Sequence, residues 1–425
     1  MSRIPFSRRR FIQAGAGAVT VVGLGACTDD GVTLPVGPTS TVPAAPSTAP
    51  ASTTATTSVT STTAPGAGGP RRLVVVQLNG GNDMLNTLPP SDGRYQDLRP
   101  GIAIPEADRL ALTGETTVAL HPSLAPLLPH WEAGHLALVQ GIGFPDPNRS
   151  HFVSMDRWWR ADELTRPGWL GRVLDAEAGQ WTALAATGIG GAAPLLNGAT
   201  AQPTIISSPG AFQLQILEPS WLDFGSGDAT SLAGRYRQSL ATALEAMEDF
   251  AGLVTEAEDS ADLPEFAGGN PISDGLATAA ALLAADVGAR IVVVSASGFD
   301  THSGQPSVQA GLLADLAQGL SGFQQAMDAG GLGQDVLVVT TSEFGRRAAE
   351  NASEGTDHGA GGLSIVLGDA VQGGRYGSAD LGDLLDGDIR PVIDPRAMYT
   401  ACLDWLGADV EAVLGRRYDS LSVLR

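Results

Sequence analysis

The sequence predicts an α/β domain with a mostly parallel central sheet, on two observations. Short unbroken runs rich in Val, Ile and Leu recur at residues 73–78, 136–140, 291–295, 336–340 and 363–368. Runs without polar alternation belong to strands covered on both faces, as in parallel sheets. Stretches of helical length, with apolar residues three or four apart, separate them.

Taken in order, residues 73–78 form a buried strand that feeds the loop Asn79-Gly80-Gly81-Asn82-Asp83. Residues 124–133 have a helical pattern, and 136–140 form the next strand. A loop with Pro145 and Pro147 leads to Ser150, where a helix begins and runs through Trp159. Residues 231–258 are helical in spacing and contain no proline; a further helix covers 272–288. The strand 291–295, a helix over 308–329, and the strands 336–340 and 363–368 follow, with short helices after Pro395. In such a domain functional residues gather in loops beyond the carboxyl ends of the strands.

The N-terminal 70 residues have a different character. Ser7-Arg8-Arg9-Arg10-Phe11-Ile12 and the uncharged apolar residues 14–26 have the pattern of a twin-arginine export signal, too short to be a spanning helix. Leu24-Gly25-Ala26-Cys27 reads as a lipobox, with Cys27 the lipidated residue; the alternative is a small-residue cleavage site with an incidental cysteine. Residues 31–70 carry no charge and consist mainly of Thr, Ser, Pro, Ala and Gly, too little apolar surface to offset the entropy of ordering. The expected organisation is a signal peptide over 1–26, lipidated Cys27 with a disordered linker to 70, and one folded domain over 71–425. The expected location is the outer face of the cytoplasmic membrane or the cell surface, reached by the twin-arginine route and held by a membrane lipid anchor. That route carries proteins folded before export, often with a metal acquired beforehand. With Cys27 lipidated, Cys402 has no partner and is expected to be a buried small apolar residue.

The formal charge is −21, and it becomes −25 once the four arginines of the signal are removed. Such a balance argues against nucleic acid as a partner, because phosphate neutralisation needs a basic surface. All 25 basic residues are arginine, which excludes a lysine Schiff base, phosphate-loop lysine or lysine general base.

Five motifs fall after or beside the strands. In Gly80-Gly81-Asn82-Asp83, Asp83 is either a ligand for a hard cation or the cap of the next segment. In Asn148-Arg149-Ser150-His151-Phe152, Ser150 stands at a helix start, as a nucleophile or as an ordinary cap. In Gly298-Phe299-Asp300-Thr301-His302, the two-residue spacing turns Asp300 and His302 the same way, to one metal ion or to a mutual hydrogen bond. Glu343 follows a strand, a position for a ligand or general base, and Arg346 and Arg347 beside it could meet an anionic group. Thr356-Asp357-His358-Gly359 adds another Asp and His just before the last strand. His121, His130 and His135 flank a different helix and are read as structural or exposed. Trp158 and Trp159, next to Arg160, are read as packing residues or as a saccharide or partner surface.

With Leu85-Asn86, Ser342-Glu343-Phe344-Gly345-Arg346 and the other motifs, the chain from Leu73 onward resembles a large bacterial family with twin-arginine signals, known as domain of unknown function 1501. That family in turn resembles the alkaline phosphatase and sulfatase superfamily, which implies a three-layer sandwich around a mostly parallel sheet and metal ions at the strand ends. Carried onto this chain, the resemblance implies Ser150 as nucleophile, with Arg149 and Glu343 assisting. It implies Asp83, Asp300, His302, Glu343, Asp357 and His358 as metal ligands, and zinc, manganese or calcium as the divalent cofactor. The implied function is an exported hydrolase of phosphate or sulfate esters, its substrate an anionic ester or saccharide. The alternative is a catalytically degenerate surface protein of the same fold, serving in binding or assembly. Three departures stand out: Phe344 occupies a position where the superfamily has a histidine, Asp300 and His302 are two residues apart rather than four, and Asp83 sits four residues beyond Asn79, where the strand ends.

Overall fold

Eight strands make up the central sheet of this computed structural model, which describes residues 69–177, 182, 184–207 and 270–425. The expected export signal, Cys27, the linker and the helix over 231–258 lie outside the described residues. The strands are β1 (Arg72–Asn79), β2 (Leu136–Ile142), β3 (Ala186–Ile189), β4 (Thr204–Ile206), β5 (Ile291–Ser297), β6 (Val336–Thr341), β7 (Gly362–Leu367) and β8 (Gly374–Gly377). Their order is β8-β2-β7-β6-β1-β5-β3-β4. Every pairing is parallel except those of β7, which runs antiparallel to both β2 and β6.

The unbroken apolar runs are explained by the two cores. Successive side chains of a strand alternate between faces. Val74 and Val76 enter one core, while Leu73 and Val75 enter the other. In register beside them, Val292 and Val294 of β5 join the first and Ile291 and Val293 the second. Among the described residues, the longer helices on these faces are α1 (His151–Arg160), α2 (Trp169–Ala176), α3 (Pro271–Ala284), α4 (Gln305–Ala329) and α5 (Pro395–Leu406), with the short α6 (Val410–Leu414) beside them. Leu276 and Leu283 of α3 and Leu313, Leu320 and Phe323 of α4 fill the first core. Trp158, Trp169, Met398, Tyr399 and Val413 of the others fill the second. The result is three layers, as expected. Each such buried side chain contributes roughly 1.5–3 kcal/mol.

Several elements differ from the sequence reading. The pattern over 124–133 is split between a 3-10 segment, Pro122–Leu127, and a short α-helix, Leu128–Glu132. Pro126 and Pro129 lack the N–H that a single helix would require there. Helix α3 stops at Ala284 instead of 288, because Asp286 and Gly288 take positive φ values of 52° and 81°. Helix α4 begins at Gln305 rather than 308, with Pro306 in its first turn, where proline costs no hydrogen bond. Strands β3, β4 and β8 have only four, three and four residues, too short to display a period. No helix among the described residues is long and apolar enough to cross a membrane.

The antiparallel course of β7 fixes the position of the site. The parallel strands β1, β2, β5 and β6 all end at one edge of the sheet, and β7 starts there. The loop before β7 therefore meets the loops that follow the others.

Candidate metal centre

The loop after β1 closes against two neighbours because it has no Cβ atoms in the way. Gly80 and Gly81 take φ values of 121° and 83°, and a Cβ on them would lie 2.2 Å from the Asp300 nitrogen and 2.4 Å from Phe344 Cε2. Ser342 Oγ accepts from Asn82 N at 2.9 Å and donates to Leu78 O at 2.7 Å, which ties this loop to the one after β6. Arg346, fully buried, holds the remaining loops. Its Nε donates to Gly81 O, its Nη1 to Thr356 O, and its Nη2 to Gly80 O, Phe299 O and, at 2.6 Å, Asp300 Oδ1.

Three histidines and one aspartate converge inside this frame. Nε2 of His302 and Nε2 of His358 are 2.8 Å apart, and each is 3.1 Å from Asp300 Oδ1. His151 Nε2 lies 3.5 Å from Asp300 Oδ2. One ligand atom each of His151, Asp300 and His358 lies within 4.8 Å of the other two.

The opposite nitrogens determine what these atoms can be. His358 Nδ1 faces the Arg149 carbonyl oxygen at 2.8 Å, His302 Nδ1 faces Asp357 Oδ1 at 3.1 Å, and His151 Nδ1 faces Glu343 Oε1 at 2.8 Å. A carbonyl and an ionised carboxylate can only accept, so each Nδ1 donates outward and each Nε2 faces the cluster, bare when its ring is neutral and a donor when the ring is protonated. Burial pushes His358 below its ordinary value, further favouring its neutral ring, although the Arg149 carbonyl and Asp300 oppose the shift. Burial alone would raise Asp300, but the Arg346 hydrogen bond, with help from His358, outweighs it and holds the carboxylate at about 2. Three ring nitrogens and a carboxylate thus face one another, with the Arg346 guanidinium at their edge. Such a cluster is satisfied by a divalent cation or by a proton carried on one of the rings. Imidazole nitrogens with a carboxylate, each ring backed by an outer acceptor, suit zinc and other divalent metals of similar preference. Phe344 walls the cluster, its ring centroid 5.0 Å from that of His151 and 4.7 Å from that of His358.

Residues 70–420 match the model of a family described as Protein of unknown function (DUF1501). The chain belongs to that family. No curated protein matches it in sequence. Among solved structures it is similar to a protein in the alkaline phosphatase superfamily from Vibrio parahaemolyticus, at 9% identity and a TM-score of 0.40, covering 83% of this chain and 70% of the other. It is also similar to the lipoteichoic acid synthase LtaP from Listeria monocytogenes, at 10% identity, TM-score 0.32 and coverage of 83% and 76%. A third is the PsFucS1 sulfatase from Pseudoalteromonas sp., at 11% identity, TM-score 0.37 and coverage of 83% and 71%.

In this DUF1501 chain the sequence-derived residues divide into five groups. Asp300, His302 and His358 come together. Glu343 and Asp357 stand behind His151 and His302 as their hydrogen-bond partners, rather than facing the cluster. Asp83 does not join. One of its oxygens caps Leu85 N, and the other takes Arg99 Nη1 and Gln305 Nε2, each at 2.5 Å, so the capping alternative is the one realised. Arg149 contributes its carbonyl, while its guanidinium is turned to Asp386 and Asp388. Ser150 is the N-cap residue of α1 but makes no capping bond with its side chain, and its Oγ has no hydrogen-bond partner among the described residues.

His151, which the sequence reading leaves out of the ligand set, joins Asp300 and His358 in the cluster. It follows Ser150 directly and is one of only three histidines on the functional edge, and that was the signal available. The other three histidines serve the scaffold: His121 accepts from Ser123 N, His130 bonds Ser321, and His135 pairs with Asp369.

Proposed function

We propose that this protein is a metal-dependent hydrolase of phosphate or sulfate esters, with one divalent cation held by Asp300 and the Nε2 atoms of His151, His302 and His358. The observation that carries this reading is the convergence of Asp300 with the ring nitrogens of His151, His302 and His358, each ring held from behind by an acceptor. When bound, the cation supplies positive charge that offsets charge on the transferred group and lowers the pKa of a hydroxyl beside it.

The chain's own residues account for the rest. Ser150 Oγ is uncommitted and lies next to His151, at the start of a ten-residue helix. It attacks the phosphorus or sulfur atom; Oγ gives up its hydrogen, the new Oγ bond forms as the bond to the leaving oxygen breaks, and that proton passes to the departing alcohol. Water then cleaves the seryl ester, releasing phosphate or sulfate and restoring the hydroxyl. The free N–H groups of the first turn of α1 bind the nonbridging oxygens, a task for which the Arg149 guanidinium is not available. Glu343, Asp357 and the Arg149 carbonyl fix the rings, and Phe344 keeps water from one side.

Hydrolysis of 4-nitrophenyl phosphate and 4-nitrophenyl sulfate tests this reading. Ser150→Ala should abolish turnover while metal content is retained, and His302→Ala should lose both. Undiminished turnover by Ser150→Ala would refute the role of the serine. The twin-arginine motif and Cys27 support an exported, lipid-anchored protein; Cys27→Ser should release it from membranes, and continued membrane association would contradict that.

A further inference from the structure

The most exposed large apolar side chain among the described residues stands beside the metal centre. Phe152 is 88% exposed, against 51% for Leu164 and Val392, the next in order. An exposed apolar residue by itself needs no explanation, since much of any folded surface is apolar. The position of this one does: it is the second residue of α1, two after Ser150 and one after His151. Its neighbour Val153 is exposed as well.

The helix aims the ring at the mouth of the centre. Cα–Cβ bonds in a helix tilt toward its N-terminus, so a side chain covers the turn before its own Cα. The phenyl ring therefore leans toward the end of α1 whose N–H groups take the transferred group. The neighbouring side chains of α1 are committed elsewhere: His151 turns to Asp300 and Glu343, while Ser154, Arg157 and Trp158 are buried. Phe152 and Val153 are left facing solvent beside the serine.

The charges of these loops limit what a substrate can carry beyond its ester group. Arg149 pairs with Asp386 and Asp388, Arg346 pairs with Asp300, and Arg347 lies 3.5 Å from Asp388. Each of these guanidiniums already faces a carboxylate, while the side chains of Asp357 and Asp386 remain 56% and 83% exposed. An alcohol with a second negative charge would be repelled there. An apolar alcohol would instead remove Phe152 and Val153 from water.

We infer that Phe152 is a specificity-determining residue that binds the alcohol side of the ester, and that this alcohol is an uncharged apolar chain or ring. The inference rests on the hydrolase reading above and narrows its substrate class. Burying one methylene fully changes affinity about fourfold, and contact on one side only about twofold. Over the roughly four methylenes that a phenyl ring can cover, the gain is about tenfold.

The test compares turnover of octyl phosphate and octyl sulfate, below their micellar concentrations, with turnover of the ethyl esters by the full chain. The two alcohols are of nearly equal acidity, so the ratio of kcat/KM reports contact with the chain rather than leaving-group chemistry. The octyl ester should be preferred about tenfold, mainly through KM. Phe152→Ala should cut that preference to below about threefold, Phe152→Leu should keep most of it, and Tm should be unchanged in both. Equal kcat/KM for octyl and ethyl esters would overturn this inference and leave the hydrolase reading standing. So would a preference that survives Phe152→Ala; weakened binding of that variant to phosphatidylcholine vesicles would then assign the ring to a membrane contact. A fall in Tm of several degrees in Phe152→Ala would show the ring packed by the chain itself and would also overturn the inference. No turnover of any ester, the 4-nitrophenyl esters included, would overturn the hydrolase reading and this inference with it.

Discussion

Replacing Asp83 by alanine separates its structural role from the ligand role its sequence position suggested. The carboxylate is 1% exposed and Arg99, 2.5 Å away, is fully buried. Arg99 also donates to Asn86 Oδ1, to Ala348 O and to Arg347 O, so the pair fastens the loop after β1 to the segment after β6. Removing one member of a buried pair costs about 3–5 kcal/mol, because the other charge is left uncompensated. The lost cap on Leu85 adds about 1 kcal/mol. Against a total stability of about 5–15 kcal/mol, a combined loss of about 4–6 kcal/mol is severe, and it corresponds to a drop in Tm of roughly 10 °C. The double variant Asp83→Ala/Arg99→Met should recover part of the loss, since no buried charge is then orphaned. Urea unfolding measures both, with metal analysis of the folded fraction alongside. Asp83→Ala should bind metal as the wild type does while being much less stable. Unchanged stability with lost metal would refute this reasoning and restore Asp83 as a ligand.

Three further outcomes are expected. Glu343→Gln removes the charge behind His151 and should weaken metal affinity about tenfold or more in a competition titration; unaltered affinity would mean that Glu343 does not support the ring. Burial pushes the Cys402 thiol up to about 12, so iodoacetamide should label it only after denaturation, and rapid labelling of the folded chain would contradict its burial. Burial works to raise Glu115, but its bonds from Arg375, 2.7 Å away, and Thr117 outweigh that and hold it at about 2, below the ordinary 4.5. Its contribution is therefore complete above pH 4.5 and is lost as the pH falls toward 2. Glu115→Gln should flatten that part of the stability curve, and an identical slope in both proteins would exclude the pair as its cause.

The long strands could be read from sequence because β1, β5 and β6 are covered on both faces, which requires unbroken apolar runs. The short edge strands β4 and β8 bury too little to leave such a mark. The direction of β7 had no signature in sequence, yet it is what brings Asp357 and His358 to the edge where Asp300, His302 and Glu343 already stand. The sequence marks the loops that carry Asp300, His302, Glu343, Asp357 and His358, which the structure brings together, but not the division of labour among them. A carboxylate that faces the centre and one that holds a histidine from behind look alike in sequence; Asp300 is the first kind, while Asp357 and Glu343 are the second. Asp83 followed a strand as a ligand would, and only the buried Arg99, sixteen residues away, reveals what it pairs with. His151 was hidden by Ser150, whose position at a helix start drew the chemical interpretation to the hydroxyl.

Metal content of the purified full chain, measured beside His151→Ala and His302→Ala, tests the central claim most directly. One tightly held divalent cation per chain is expected, with loss from both variants. A folded chain that takes up no zinc, manganese or calcium would contradict the account. So would a cation that stays bound when His151 is removed, since the ring between Glu343 and Asp300 would then be doing something other than holding metal.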